Sequence, residues 1–301
     1  MTVILLAIDA LDHELVDKFD CDGLKLQTND SIETFCYSLD EPHTTEVWPT
    51  VATGLHPRDH GVVEQTAARW NNPLFSMASY VLQSAPHSLR IKLGEIATRM
   101  TGAEFSLVET DKESIFDSPH REVHNWPGVI NSHVLQNRWE LLVEADDNTN
   151  SAIFDRDLLS VAAEKIGWVS EMSRHRVELA ATHIHAIDIA GHGYRTDEKH
   201  YEEIYKQLET QILNLRDNLG DDDELIILSD HGMGVESIEG DDPGVHSMRA
   251  FISTTQPNAD LPESVFDVRE WLETRIQSSD ESRDTGEIDI DDEHLRDLGY
   301  L

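Results

Sequence analysis

Apolar runs rich in branched residues alternate along the chain with stretches of helical periodicity. Residues 2–9 form a continuous apolar run, which is typical of a strand covered on both faces of a parallel sheet. Residues 180–188 and 224–230 repeat this pattern and, like the first run, end in aspartate. Residues 249–254 have the composition of a further strand. The pattern therefore predicts at least four strands.

Helical patterns lie between and after these strands. A short helix is predicted over residues 12–19. Apolar residues at 204, 208, 212, 215 and 219 form one helix face, with Thr196 as its N-cap and Gly220 at its C-terminal stop. Apolar positions between 265 and 276 mark a final amphipathic helix. This alternation favours an α/β fold with a mostly parallel central sheet, helices on both faces and right-handed crossovers.

Residues 62–178 follow a different pattern. Tryptophan, proline, asparagine and histidine are scattered there between helical stretches near 88–100 and 157–168. We expect part of this region to be a cap inserted over the sheet edge, within an α/β domain of residues 1–277. Residues 278–301 are rich in acidic side chains and are predicted to form a solvated C-terminal tail.

The charge of the chain excludes several classes of partner. Its 301 residues include 23 lysine and arginine against 59 aspartate and glutamate, and 23 − 59 gives −36. Such acidity disfavours binding to nucleic acid duplexes and anionic membranes. No apolar run approaches the roughly 20 residues of a membrane span, and the start lacks the basic region of a secretory signal. Cys21 and Cys36 do not make a disulfide framework. We expect a cytoplasmic protein without a membrane partner.

The same charge indicates the conditions under which the protein folds. At ordinary salt, repulsion among like charges opposes the compact state. At about 1 M salt the Debye length falls to about 3 Å, which screens this repulsion. We therefore expect a source with molar internal salt, such as a halophilic archaeon.

Acidic side chains end three of the predicted strands, at Asp9, Asp188 and Asp230. Ligands of open α/β sheets bind beyond the carboxyl ends of the strands, and two of these aspartates have histidine neighbours, His192 and His231. A lone aspartate at a strand end is more often a helix cap. Five such side chains at one end of a sheet favour a metal site instead, because carboxylates that repel one another need cations. Carboxylate and imidazole ligands suit Zn²⁺ or Mn²⁺.

Neighbouring glycines and histidines complete this interpretation. Gly191 and Gly232 are expected to bend the backbone so that each aspartate shares a site with its histidine. His183 and His185 have the opposite parity to Asp188 along the predicted strand, so we interpret them as core or edge histidines rather than ligands.

A pair of hydroxyl side chains, Thr44 and Thr45, precedes a short helix predicted over residues 49–53 and ending at Gly54. A helix N-terminus offers free N–H groups that favour a phosphate, and a nearby base or metal would activate a threonine hydroxyl. A turn rich in serine and threonine before a helix is the alternative, and on this segment alone it is the simpler one.

Three aromatic residues have two interpretations each. His43 and His60 flank it, either as substrate contacts or as structural hydrogen-bond partners. Trp126 could stack on a base, although tryptophan is more often a packing residue.

Separated motifs occur along the chain in a distinctive order: Asp9, TTEVWPTVATGLHPRDHG at 44–61, DIAGH at 188–192, SDHGM at 229–233 and GVH at 244–246. The set resembles the alkaline phosphatase superfamily, and in particular its type I phosphodiesterase/nucleotide pyrophosphatase branch. The ending LRDLGYL is similar to the ending of such proteins. The resemblance covers about residues 1–61 and 180–255 and does not extend to 62–178.

The resemblance implies a metal-dependent hydrolase of phosphodiester or pyrophosphate bonds in a small phosphorylated substrate such as a nucleotide. It implies two divalent ions, with Zn²⁺ expected first and Mn²⁺ second. Its metal ligands would be Asp9, Thr44, Asp230 and His231 for one ion, and Asp188, His192 and His246 for the other. The nucleophile falls on Thr44, with Thr45 as the alternative. This chain departs from the family where Thr44 and Thr45 precede Glu46, because the family often has Thr-Phe-Pro there. A sulfatase needs cysteine or serine at that position and is not expected.

Other functions stay open at this stage. A phosphomonoesterase or a mutase-like phosphotransferase could use the same scaffold, and a comparison of diester with monoester substrates would discriminate between them. A non-catalytic metal-binding relative is the alternative from another class, although all seven matched positions are present. The substrate, the metal and the oligomeric state are not decided by the sequence.

We predict that the melting temperature rises as KCl is increased from low to multimolar concentration, because screening removes repulsion among the acidic side chains. Thermal unfolding followed by circular dichroism over that range measures the effect. A melting temperature that does not rise with salt would contradict the halophilic interpretation.

Overall fold

The computed structural model describes residues 1–63, 68–70, 105–131, 150–175 and 177–276. The helix predicted near 88–100 and the acidic tail predicted over 278–301 lie outside the described residues.

A six-stranded sheet forms the centre of the described part of the chain. Its strands are β1 (Val3–Ile8), β2 (Thr28–Ile32), β5 (Arg121–His124), β6 (Leu179–Ile184), β7 (Glu224–Leu228) and β10 (Ala250–Thr254). Their order is β2-β10-β7-β1-β6-β5. β10 runs antiparallel to both of its neighbours, whereas the pairs β7–β1, β1–β6 and β6–β5 are parallel. The predicted α/β class with a mostly parallel central sheet is therefore confirmed.

The other elements are two small strand pairs and seven α-helices among the described residues. The pairs are β3 (Ala68–Trp70) with β4 (Phe105–Leu107), and β8 (Gly232–Met233) with β9 (His246–Ser247). The helices are α1 (His13–Lys18), α2 (Thr44–Thr53), α3 (Pro57–His60), α4 (Ser151–Met172), α5 (Ala186–Gly193), α6 (Glu198–Arg216) and α7 (Val268–Ile276).

Both faces of the sheet are covered by helices, and β1 shows why. Every residue of this strand is buried, and because alternate side chains point to opposite faces, the strand supplies two cores. Ile4, Leu6 and Ile8 join one apolar cluster with residues of α1, α4, α5 and α6, while the intervening side chains join a second cluster with α2 and α7. The continuous apolar run in the sequence reflects this double burial.

Part of the region predicted as an insertion belongs to the main fold. β5 is an edge strand of the central sheet, parallel to β6. The helix predicted over 157–168 is longer, since α4 spans Ser151–Met172 and packs against the core through one face. The division into an α/β domain with a cap and a tail remains a prediction.

Several predicted boundaries are wrong. β6 ends at Ile184, so the strand predicted over 180–188 is too long, and Asp188 lies in the first turn of α5. The helix predicted over 49–53 begins at Thr44 and includes Pro49, although it does end at Gly54 in the left-handed conformation.

Helix caps were predicted to within a few residues. Asp12 caps α1 by accepting from two backbone N–H groups. The N-cap of α6 is Asp197, one residue after Thr196, because its carboxylate accepts from the N–H of His200. This helix ends at Arg216, ahead of Gly220.

None of the helices in the described ranges combines the length and the apolar character required to cross a bilayer.

Two glycines inside helices give a matched test of packing. A Cβ at Gly191 in α5 would meet Cγ of Met233 at 2.7 Å, whereas a Cβ at Gly167 in α4 would meet nothing within 4 Å. We predict that Gly191→Ala lowers the free energy of unfolding by about 1–3 kcal/mol through overpacking. Gly167→Ala should raise it by about 0.5–1 kcal/mol, because alanine favours the helix. Urea unfolding in high salt measures both, and equal shifts would contradict the packing argument.

Candidate metal centre

One group of potential ligands lies at the carboxyl ends of the two central strands. Asp9 directly follows β1. β7 ends at Leu228, and Asp230 and His231 are the second and third residues after it. Nε2 of His231 lies 3.2 Å from Oδ1 of Asp9 and 3.3 Å from Oδ2 of Asp230. All three side chains are fully buried. Their ligand atoms lie within 4.8 Å of one another, so one cation can contact all three.

A second group joins α5 to the β8–β9 ribbon. Asp188 and His192 are four residues apart and therefore share one face of α5. Nε2 of His192 lies 3.3 Å from Oδ1 of Asp188, and Nε2 of His246 on β9 lies 3.2 Å from the same oxygen. Helical spacing, rather than a bend at Gly191, brings Asp188 and His192 together. The expected bending role of Gly191 is therefore wrong.

Thr44 is the first residue of α2, and its hydroxyl reaches the first group. Oγ1 lies 3.1 and 3.2 Å from the two carboxylate oxygens of Asp9 and 3.3 Å from Nε2 of His231. Oγ1 of Thr45 instead lies 3.3 Å from Nδ1 of His43. The structure therefore brings Thr44, rather than Thr45, to the predicted ligands. Their catalytic and ligand roles stay predictions.

Two further histidines contact Asp9, and because their ligand atoms and that of Asp9 lie within 4.8 Å of one another, they are potential ligands as well. Nε2 of His183 lies 3.3 Å from Oδ2 of Asp9. Nδ1 of His185 contacts the same oxygen, and Nε2 of His185 lies 3.3 Å from Oδ2 of Asp188. Both histidines are buried, as a core interpretation requires, yet they face the site. The parity argument that set them apart is wrong because Asp188 does not lie on β6.

Sequence reasoning missed these two residues although a signal was present. His183 and His185 are two residues apart at the end of β6. This strand pairs in parallel with β1, and His183 lies opposite Ala7. Histidines at that spacing point to the same side of an extended chain. Their position at the end of a strand adjacent to β1 is therefore consistent with contact between these histidines and Asp9.

The buried carboxylates respond differently to their surroundings. Burial disfavours the charge of Asp9, but the charge of His185 and hydrogen bonds from nearby histidines lower the pKa of Asp9 well below its usual range. Burial, and then the negative charge of Asp9, raise the pKa of Asp230 well above its usual range. Burial opposes a charge on His231, but Asp230 and Asp9 raise its pKa to about 10. The histidines thus compensate only part of the buried negative charge.

The donor set fits divalent cations. Both carboxylate oxygens of Asp188 and Oδ2 of Asp230 are buried and lack a hydrogen-bond donor within the described ranges. Leaving buried acceptors without a donor is costly, and a bound cation would satisfy them. Imidazole nitrogens and carboxylate oxygens in groups of three are ligands that Zn²⁺ and Mn²⁺ accept.

His60 and His43, which lie on either side of Thr44 in the chain, have different surroundings. His60 is buried, its Nε2 lies 3.1 Å from Oγ1 of Thr50, and its Nδ1 accepts from the N–H of Val62. Burial lowers the pKa of His60 to about 4, so it is a neutral structural residue. His43 is the half-buried N-cap residue of α2, directly ahead of Thr44.

Trp126 packs inside the protein rather than lining an open surface. It is fully buried, its indole N–H donates to the backbone oxygen of Trp48 at 2.8 Å, and the two rings meet edge to face at 5.1 Å. The packing interpretation is therefore confirmed.

Among the solved structures compared, the alignment with a TM-score of 0.50 supports the fold. A 2-O GAG sulfatase aligns with a TM-score of 0.50 at 9% identity, over 92% of this chain and 70% of that chain. The alkaline phosphatase from the Antarctic bacterium TAB5 aligns with a TM-score of 0.48 at 11% identity, over 93% and 99% of the two chains. The PH0037 protein from Pyrococcus horikoshii gives 0.49 at 10%, over 94% and 99%. Identities this low say nothing about activity.

Comparison with families is more specific. No curated protein matches the chain. The family model described as Type I phosphodiesterase / nucleotide pyrophosphatase matches residues 3–256, from the first strand to beyond the last strand of the sheet. This range contains both groups of potential metal ligands and Thr44. The family implies divalent metal cofactors and small phosphorylated substrates, and the chain belongs to this Type I phosphodiesterase / nucleotide pyrophosphatase family of phosphoric ester hydrolases.

Proposed function

We propose that the protein hydrolyses phosphodiester or pyrophosphate bonds of small phosphorylated molecules, with Thr44 as nucleophile and two divalent cations. The observation that carries the proposal is the position of Thr44 Oγ1, within 3.3 Å of both Asp9 and His231. A hydroxyl that is hydrogen-bonded to predicted metal ligands lies where a cation held by them would activate it.

The start of α2 supplies the second requirement, a place for the phosphoryl group. Thr44 occupies the first helical position, at the N-terminus of α2. The positive end of the helix dipole at this terminus favours a phosphate. The nucleophile and the anion site therefore coincide at one helix end.

The two groups would each hold one cation. Asp9, Asp230, His231 and Thr44 form the first set, and Asp188, His192 and His246 form the second. When bound, divalent cations stabilise the attacking and leaving oxygens of an in-line displacement. Zn²⁺ suits the nitrogen and oxygen donors best, and Mn²⁺ is the second choice.

The side chains themselves define the reaction sequence. The Thr44 hydroxyl loses its proton to solvent, Oγ1 forms a bond to phosphorus as the bond to the leaving oxygen breaks, and the leaving oxygen takes up a proton from solvent. Water then hydrolyses the phosphothreonine and releases phosphate monoester or phosphate. Three aspartates carry −3 against +4 from two divalent ions, so the loaded site keeps a positive charge for an anionic substrate. Molar salt in a cytoplasmic setting would screen the −36 of the whole chain.

We predict that Thr44→Ala lowers turnover by about 1,000-fold or more, because the variant lacks the attacking oxygen. Thr45→Ala is the matched control and should stay within about tenfold of wild type. Steady-state rates with bis-p-nitrophenyl phosphate in high KCl measure the difference, with bound metal quantified in each variant. A near-normal rate for metal-loaded Thr44→Ala would show that Thr44 is not the nucleophile.

We also predict that a chelator abolishes hydrolysis and lowers the melting temperature, and that Zn²⁺ or Mn²⁺ restores both. A cation that binds only the folded state stabilises it by about 2.7 kcal/mol at 100 times its dissociation constant. The rates for bis-p-nitrophenyl phosphate and p-nitrophenyl phosphate, measured side by side, separate diesterase from monoesterase activity. Full activity in the presence of the chelator would rule out the metal-dependent mechanism.

A further inference from the structure

Asp12 is a fully buried carboxylate that belongs to neither group of potential ligands. It lies three residues after Asp9, at the N-terminus of α1. Its Oδ1 accepts hydrogen bonds from the backbone N–H groups of Glu14 at 2.9 Å and Leu15 at 3.2 Å. This helix cap accounts for one of its two oxygens.

The second oxygen of Asp12 bonds to both strands of the β8–β9 ribbon. Oδ2 accepts from the backbone N–H of Met233 on β8 at 3.1 Å and from Oγ of Ser247 on β9 at 2.7 Å. The two strands pair antiparallel, with Met233 opposite His246. One carboxylate therefore ties the ribbon to the loop that follows β1.

The ribbon carries one potential ligand from each group. His231 directly precedes β8, and His246 lies on β9. Their rings stack with centroids 4.0 Å apart. The position of the ribbon relative to Asp9 therefore sets where both histidines stand.

Arg249 compensates the buried charge of Asp12. Its Nε donates to both oxygens of Asp12, at 3.0 Å to Oδ1 and 2.9 Å to Oδ2, and its two terminal nitrogens donate to the two oxygens of Asp241 at 2.9 and 2.7 Å. A buried carboxylate without a partner would be strongly destabilising. The ion pair with Arg249 stabilises the buried charge of Asp12, and this carboxylate can therefore bond to Met233 and Ser247.

Gly232 shows how close the contact is. A Cβ at this position would lie 2.1 Å from Oδ2 of Asp12 and 2.5 Å from Oγ of Ser247. Any larger residue would push the carboxylate away from the ribbon. The close approach, rather than the bend expected from the sequence, explains a glycine here.

From these contacts we propose that Asp12 is a positioning residue that sets the spacing between the two cation sites. It acts through the β8–β9 ribbon, and its side-chain hydrogen bonds within the described ranges go to other residues than the potential ligands. The proposal rests on the proposed two-cation function, because the spacing matters only when both sites are loaded. Residues that orient metal ligands from behind typically change metal affinity or activity by about 10–100-fold when substituted.

The test compares Asp12→Asn with Asp197→Asn in high KCl. Both remove a carboxylate that caps a helix, but Asp197 caps α6, where it accepts from the backbone N–H of His200. Dissociation constants for Zn²⁺, from competition with a chromogenic chelator, and kcat at saturating Zn²⁺ are measured well below each melting temperature. We expect Asp12→Asn to weaken Zn²⁺ binding at least tenfold and to lower kcat, while Asp197→Asn stays within about twofold.

The outcomes separate the two proposals. If wild type binds no divalent cation, the proposed function fails. If wild type binds two and folded Asp12→Asn binds them equally tightly with unchanged kcat, only the positioning role fails. A purely structural role would lower the melting temperature of Asp12→Asn but leave the affinities intact. Should Asp12→Asn not fold, Ser247→Ala removes a single donor to Asp12, and unchanged Zn²⁺ affinity in that variant overturns the proposal.

Discussion

Repulsion among three buried carboxylates is the constraint on which this site depends. Asp9, Asp188 and Asp230 are each at most 1% exposed, and they meet at the carboxyl ends of neighbouring strands. Like charges in a buried setting favour neutral acids unless positive charge is close by. The surrounding histidines supply part of that charge, and the raised pKa of Asp230 marks the part they leave uncompensated. Under the proposed function, divalent cations would complete the balance of charge and would allow this acidic cluster to bind a phosphate.

The central sheet provides a rigid support for these three carboxylates. β1 is buried along its whole length between two helical layers, and Asp9 follows it without a connecting loop. β7 and β6 lie on either side of β1. Asp230 and His231 follow β7, and α5, with Asp188 and His192, follows β6. Ligands that start from packed strand ends lose little conformational freedom on binding a cation, since the fold has already ordered them.

Short-range geometry then refines the positions that the sheet provides. Asp188 and His192 meet because one turn of helix separates them, and Thr44 faces Asp9 because α2 begins at that residue. Asp12 and Gly232 bring the β8–β9 ribbon against the same edge. The contacts of Thr44, Asp12 and Gly232 join segments that are far apart in the chain, whereas that of Asp188 with His192 is local.

The sequence alone determined the α/β class, the central strands and the candidate ligands, because double-sided burial and strand-end aspartates leave local patterns. It misplaced the boundaries at Asp188 and Thr44, since a strand and the first turn of a buried helix have similar apolar composition. Only the tertiary structure decided that His183 and His185 face the carboxylates and that Thr44 rather than Thr45 touches Asp9. Those facts depend on the register between β1 and β6 and on the direction in which α2 starts. The spacing of His183 and His185 is visible in the sequence, but these relations between distant segments are not.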